Sequence, residues 1–166
     1  ATSGLVAAMG AVGVSPGDEV IVPPYTMSAT AVAPLFYGGI PVFVDIEEDG
    51  FCLDVAKVAD AITSRTRAII AVNLFGQPAD LTALRALADK HGIYLVEDNA
   101  QAPLATQAGR FAGTIGHIGK VYASAPDTRE QMLTPATLTA SAAGFDSVVE
   151  VVKSEIRGSR RLREAG

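Results

Sequence analysis

The sequence predicts an α/β fold: a mainly parallel sheet with helices on both faces. Short apolar runs rich in Val and Ile alternate with helical patterns, at a spacing that suits right-handed crossovers. One run, IYLVEDNAQA over 93–102, ends abruptly in two carboxylates, and acids at the carboxyl ends of buried strands sit where α/β proteins bind their ligands.

Residues Ser3 to Val12 are Ala-rich and helical in character, and GVSPGD over 13–18 is a turn. Glu19 to Val22 reads as a short strand halted by Pro23 and Pro24. Thr26 to Tyr37 suits a second helix, ended by Gly38 and Gly39. PVFVDI over 41–46 is a strand, and DVAKVADAI over 54–62 has helical spacing with Asp54 as N-cap. RAIIAVNL over 67–74 is the next strand. In DLTALRALADKH over 80–91, Leu81, Leu84, Leu87 and Ala88 share one face, Asp80 leads and Gly92 closes. The run from Ile93 is too short for a helix core, so it reads as a buried strand. Alternation then sends Glu97 and Asp98 to opposite sides of its end. At most one of them can then face a ligand in the crevice, and the other is expected to cap a loop or meet solvent. The helix-first order, opening on Ala1 in mid-pattern, carries the expectation that an upstream portion is absent.

With 166 residues, 49% of them hydrophobic and 19% charged, the chain is long enough for one domain with a real core. A net charge of -5 and the absence of Trp give no general attraction for nucleic acid and no base-stacking surface, which leaves small molecules as the expected ligands. Cys52 stands alone, so an internal disulfide framework is excluded, and two His with one Cys do not make a Cys/His zinc site. A cytoplasmic location fits this usage, and no basic region leads an apolar segment at the start as in a signal peptide. Val20 to Val44 carries no charged side chain, yet its prolines and the Gly38-Gly39 pair argue for strand, helix and strand rather than a membrane span.

Beyond Gly119 the character changes. TPATLTASAA over 134–143 is a low-complexity, small-residue stretch, and SVVEVVKSEI over 147–156 resembles an amphipathic helix. Lys153, Arg157, Arg160, Arg161 and Arg163 face only Glu155, which suits a solvated helix end favoured by its dipole. The division expected is 1–119 as a partial domain and 120–166 as a divergent extension, helical near 146–163.

Gly113, Gly116 and Gly119 precede Lys120 at three-residue intervals, but a Walker motif would need Gly at Thr114 and Ser or Thr at Val121. Neither a Gly-x-Gly-x-x-Gly nor a Gly-x-Ser-x-Gly motif occurs. Thr2 and Ser3 open a helix, where free N–H groups and hydroxyls favour an anion such as phosphate, although Ser and Thr also cap helices routinely.

Taken together, ATSGLVAAMGAVGVSPGDEVIVPPYTMSATA, PVFVDIEEDGFCLD, ITSRTRAIIAVNLFGQPADL, YLVEDNAQA and GRFAGTIGHIG resemble the DegT/DnrJ/StrS family of pyridoxal-phosphate-dependent sugar aminotransferases, collinearly over residues 1 to about 119. The resemblance implies the fold type I large domain and pyridoxal 5'-phosphate as cofactor. It also implies a homodimer, or pairing with a complete subunit, acting on a nucleotide-linked keto sugar with glutamate or glutamine as amino donor. Thr2 and Ser3 fall on the cofactor-phosphate positions, with Ala1 where the family has Gly. Met27 falls where an aromatic ring covers the cofactor, with a place in the core of the second helix as the competing reading. Asp98 falls on the aspartate that pairs with the pyridine nitrogen, and Gln101 on the glutamine near the phenolic oxygen. His117 replaces the family's usual Asp.

The family's catalytic lysine has no counterpart. Counting on from Gly116 and Gly119, its position lands on Asp127. Lys120 is the remaining candidate amine, placed too early by the family's spacing, and no other lysine lies between Val121 and Val152. The family's later strands and small C-terminal domain also lack counterparts. Expected, then, is an inactive remnant of an aminotransferase, or a short paralogue kept as a non-catalytic cofactor-binding or protein-interaction module.

Overall fold

The computed structural model describes residues 2–120. Along the chain come α1 (Thr2–Ala11), β1 (Glu19–Val22), α2 (Ala29–Leu35), β2 (Ile40–Phe43), α3 (Val55–Ala61), β3 (Thr66–Val72), α4 (Leu81–His91) and β4 (Tyr94–Asp98). A small antiparallel hairpin, β5 (Thr106–Gln107) and β6 (Arg110–Phe111), then leads into β7 (Ile118–Lys120). The low-complexity stretch and the C-terminal helix expected near 146–163 lie outside the described residues.

Among the described residues, five strands form one parallel sheet in the order β2-β1-β3-β4-β7. Helices α1 and α2 pack together, with α2 on β1 and β2 and α1 reaching β7. Helices α3 and α4 pack together elsewhere, with α4 on β3 and β4. Central strands covered on both faces need side chains that tolerate burial at every position, which is why EVIV and TRAIIAV read as near-continuous apolar runs. The uncharged stretch from Val20 to Val44 resolves into β1, α2 and β2. Among the described residues, no helix is long and apolar enough to cross a membrane.

Local chemistry sets the element ends. Asp54 Oδ1 accepts from the N–H groups of Ala56 at 2.9 Å and Lys57 at 3.3 Å, and Asp80 Oδ1 accepts from Ala83 N–H at 3.1 Å. Each occupies orphan donors in a helix's first turn. Gly92 closes α4 in the left-handed region at φ 65°, with its N–H on the carbonyls of Ala88 and Asp89. Strand β3 ends at Val72 rather than at Leu74, and two further elements are markedly shorter than the sequence suggests. Helix α2 starts at Ala29 rather than Thr26, and it stops at Leu35 because Tyr37 and Gly39 both turn their N–H groups onto the Pro34 carbonyl. Strand β2 ends at Phe43; beyond it Asp45 takes the Lys57 ammonium at 2.9 Å and Ile46 bridges to Leu53. Cys52 is a free, buried thiol donating toward the Val72 carbonyl.

The last strand is positioned by a carboxylate. Glu97 is fully buried, and it accepts from Gly113 N–H at 2.5 Å, from Ile115 N–H at 2.7 Å and from Gly116 N–H. The three-residue glycine spacing is thereby explained: the loop does cradle an anion, and the anion belongs to the chain itself. A Cβ at position 116 would stand 2.9 Å from the Leu95 carbonyl, and one at 119 would stand 1.7 Å from the Gly113 carbonyl. His117 finishes the splice. Its backbone N–H reaches the Leu95 carbonyl at 2.8 Å, its Nδ1 accepts from Leu95 N–H at 2.9 Å, and its Nε2 lies 3.0 Å from Asp89. Burial, and then the nearby Arg85 guanidinium, hold the imidazole below its ordinary pKa of 6.5.

Three measurements check this account. Gly119→Ala should cost about 3 kcal/mol or more in urea unfolding, because backbone must move, whereas Gly76→Ala, at φ 84° with open space around it, should cost about 1–2 kcal/mol. Glu97→Gln replaces an acceptor oxygen by a donor facing N–H groups and should cost about 3 kcal/mol. For His117 the folded pKa lies below the unfolded one, so the unfolded chain takes up the proton first as pH falls through 6.5. Stability should therefore be complete above that pH and decline below it. His117→Asn, which keeps an acceptor near the Nδ1 position without titrating, should flatten that decline in urea midpoints taken from about pH 7.5 to about pH 5.

Candidate functional site

Alternation along β4 points Glu97 and Asp98 to opposite sides of the sheet. Glu97 is consumed by the fold, as above. Asp98 is paired in register with Lys120 across β4 and β7, so both side chains rise on the same face. Lys120 Nζ lies 2.8 Å from Asp98 Oδ1, with the two side chains only 7% and 10% exposed. Ala100 N–H adds a second bond to the same oxygen at 3.1 Å. A carboxylate this deep requires such partners, since burial without them costs several kcal/mol, on the order of 3–5.

The lysine stem also ties this acid to the first helix. A Cβ built on Gly4 would meet Lys120 Cγ at 3.1 Å and its Cδ and Cε at 3.8 Å. The opening turn of α1, with Thr2 and Ser3 exposed on it, therefore lies within one lysine side chain of Asp98. The expected anion seat and the expected acid share one end of the sheet.

Met27 and Gln101 occupy loops at that same carboxyl edge, after β1 and β4. Met27 is 68% exposed and sits in the turn ahead of α2, so it is not a core residue of that helix. The helix begins two residues later, which leaves the thioether outside its packed face. Gln101 is exposed, and its carbonyl accepts from Gly76 N–H at 3.0 Å, which ties the loop after β4 to the loop after β3. Beneath these loops, Asn73 Nδ2 donates to Asn99 Oδ1 at 3.1 Å. Asn73 Oδ1 takes Ala79 N–H, and Asn99 Nδ2 donates to the Ala112 carbonyl. This buried amide pair fixes the strand ends from which the loops spring.

The sequence reading missed two features of this edge. Tyr25, Phe51 and Phe75 form an exposed aromatic group, with ring centroids 5.7 and 6.3 Å apart around Tyr25. Phe51 and Phe75 both hold positive φ, 55° and 53°, a conformation that costs bulky residues on the order of 1–3 kcal/mol. The pairing of Lys120 with Asp98 was the second omission, although strand parity together with a parallel register would have given it.

A cleft of about 530 Å³ opens at the opposite, amino-terminal edge, between Arg65, Arg67 and His91. Arg65 is bound to Glu19, and Arg67 lies 3.3 Å from Asp18, so both cations are already neutralised. None of the residues expected to bind the cofactor lines it. Among the described residues, no three His, Cys, Asp or Glu side chains gather to hold a metal ion.

Comparison with known proteins places this geometry. The chain is 48% identical over 118 residues to UDP-N-acetyl-3-dehydro-alpha-D-glucosamine 3-aminotransferase of Acidithiobacillus ferrooxidans, covering 71% of this chain and 32% of that protein. The crystal structure of the aminotransferase from Psychrobacter cryohalolentis superposes with a TM-score of 0.68 at 41% identity, over 70% of this chain and 29% of that one. The Escherichia coli GDP-4-keto-6-deoxy-D-mannose-3-dehydratase, solved with bound hydrated PLP, gives a TM-score of 0.67 at 30% identity, over 72% and 32%. The chain thus spans about a third of the length of the relatives it matches. Residues 1–122 match one family throughout, and the chain belongs to the DegT/DnrJ/EryC1/StrS aminotransferase family.

Proposed function

We propose that this chain corresponds to the front part of the large domain of a pyridoxal-phosphate-dependent sugar aminotransferase and does not itself carry out the transfer. The family reaction in this reading moves an amino group from glutamate or glutamine to a nucleotide-linked keto sugar. Residues 1–119 are the family part and 120–166 a divergent extension, in a cytoplasmic protein that pairs with itself or with a complete subunit. In this reading Thr2 and Ser3 occupy the family's phosphate positions, Asp98 that of the acid on the ring nitrogen, Gln101 that of the amide near the ring oxygen and Met27 that of the group over the ring face.

One observation carries the inactive reading. The cofactor's chemistry requires a lysine amine that holds it covalently and shuttles a proton at the substrate carbon. By the family's spacing that position is Asp127, and a carboxylate performs neither task. The amine that the fold does bring to the site, Lys120 Nζ, is held by Asp98 at 2.8 Å. As they stand, the residues do not fit the cofactor: the lysine stem runs between Gly4 and Asp98, and its ammonium takes the acid's hydrogen-bonding oxygen.

A second reading, a non-catalytic interaction module, is favoured by the aromatic group of Tyr25, Phe51 and Phe75 and by Ile40 and Phe43 exposed on the edge strand β2. Incubation with pyridoxal phosphate, glutamate or glutamine and a nucleotide-linked keto sugar should yield no amino sugar by mass spectrometry. Borohydride reduction should leave no cofactor adduct on Lys120. Turnover, or labelling of that lysine, would restore an enzymatic reading.

A further inference from the structure

The buried acid at the carboxyl end of β4 already has a full positive charge beside it, supplied from within the same chain. Register places Lys120 opposite Asp98, and Gly119 without a side chain lets β7 close against Gly113 so that this register is reached. The stem of Lys120 lies along Gly4, in the space between the opening turn of α1 and the acid, and Nζ ends 2.8 Å from Oδ1. We propose that the Lys120 ammonium is a built-in counter-ion that takes the seat a protonated ring nitrogen would hold, so that this chain shuts the cofactor out from beside Asp98. The inference rests on the assignment of Asp98 as the ring-binding acid made above.

Competition between the two cations is unequal. A tethered ammonium forms its bond to Asp98 without the loss of translational and rotational freedom that a free ligand incurs, and its effective concentration at the acid is set by the fold. A ring approaching Asp98 must also displace the lysine stem from Gly4 and leave the ammonium to find water or another partner. Removing the amine reverses the balance, because Asp98 is then a buried carboxylate in need of a donor. Lys120 acts here through occupancy and charge, and the inference gives it no bond-making role.

The test uses the full chain and pyridoxamine 5'-phosphate, which carries the same ring and phosphate but no aldehyde to react with lysines. Binding is followed by ligand fluorescence and by the shift in thermal unfolding, with circular dichroism as the check on folding. Lys120→Met, which keeps much of the stem's bulk, and Lys120→Ala, which clears it, should each bind at least about tenfold more tightly than the unaltered chain. Adding Asp98→Asn to Lys120→Met should remove that gain. Equal binding by the unaltered chain and both lysine variants would overturn the inference while leaving Asp98 as a ring-binding acid. Absence of binding in all folded variants would overturn both. Trapping of pyridoxal phosphate on Lys120 by borohydride would overturn the inference together with the inactive reading while leaving Asp98 as the ring-binding acid, since the amine would then engage the cofactor instead of excluding it.

Discussion

The burial of the Glu97 carboxylate inside a loop of backbone N–H groups is the constraint on which the rest of this edge depends. A charge removed from water must be met by several donors at once, and here Gly113, Ile115 and Gly116 supply them. The loop can wrap that tightly because it carries glycine where a Cβ would strike the Leu95 carbonyl. Once wrapped, it returns the chain alongside β4 as β7, with Asn99 N–H reaching the Lys120 carbonyl at 2.9 Å just past the strand's end. Placement of Lys120 beside Asp98 follows from that return.

Two adjacent acids therefore serve opposite ends. Glu97 meets uncharged dipoles and fixes architecture, while Asp98 meets a buried charged side chain and marks the site. A one-residue slip of β4 would exchange them, putting the loop's anchor on the face where Asp98 now meets Lys120. The dense pairing around the strand, including the hydrogen bond between the Asn73 and Asn99 side-chain amides and the His117 ring on Leu95, holds it against such a slip.

Much of the fold was legible because its signals are local. Asp54, Asp80 and Gly92 act at helix ends where short-range hydrogen bonding decides, and the apolar runs of β1, β3 and β4 reflect burial on both faces. Other features depended on contacts distant in sequence. The early end of α2 comes from the turn that follows Pro34, and Met27 falls in a connecting segment whose path periodicity does not fix. The Gly113, Gly116 and Gly119 spacing resembled a phosphate loop because both arrangements use bare backbone to surround an anion. Sequence alone did not say that the anion was a side chain sixteen residues earlier. His117, unexplained by pattern, gains its reason from Leu95 and Asp89, more than twenty positions away.

Among the described residues, strand β2 borders the sheet and shows Ile40 and Phe43 to solvent. Ile40 and Val44 turn their N–H groups inward to Asp18 and Val22, so by alternation Pro41 and Phe43 are the residues whose backbone faces outward. Proline has no hydrogen to offer there, and the ladder that a visiting strand would seek is interrupted at Pro41, the first of the two outward-facing positions. The border is thus greasy in its side chains yet poor as a template for β-addition, and association along it falls to shape and apolar contact rather than to main-chain zippering.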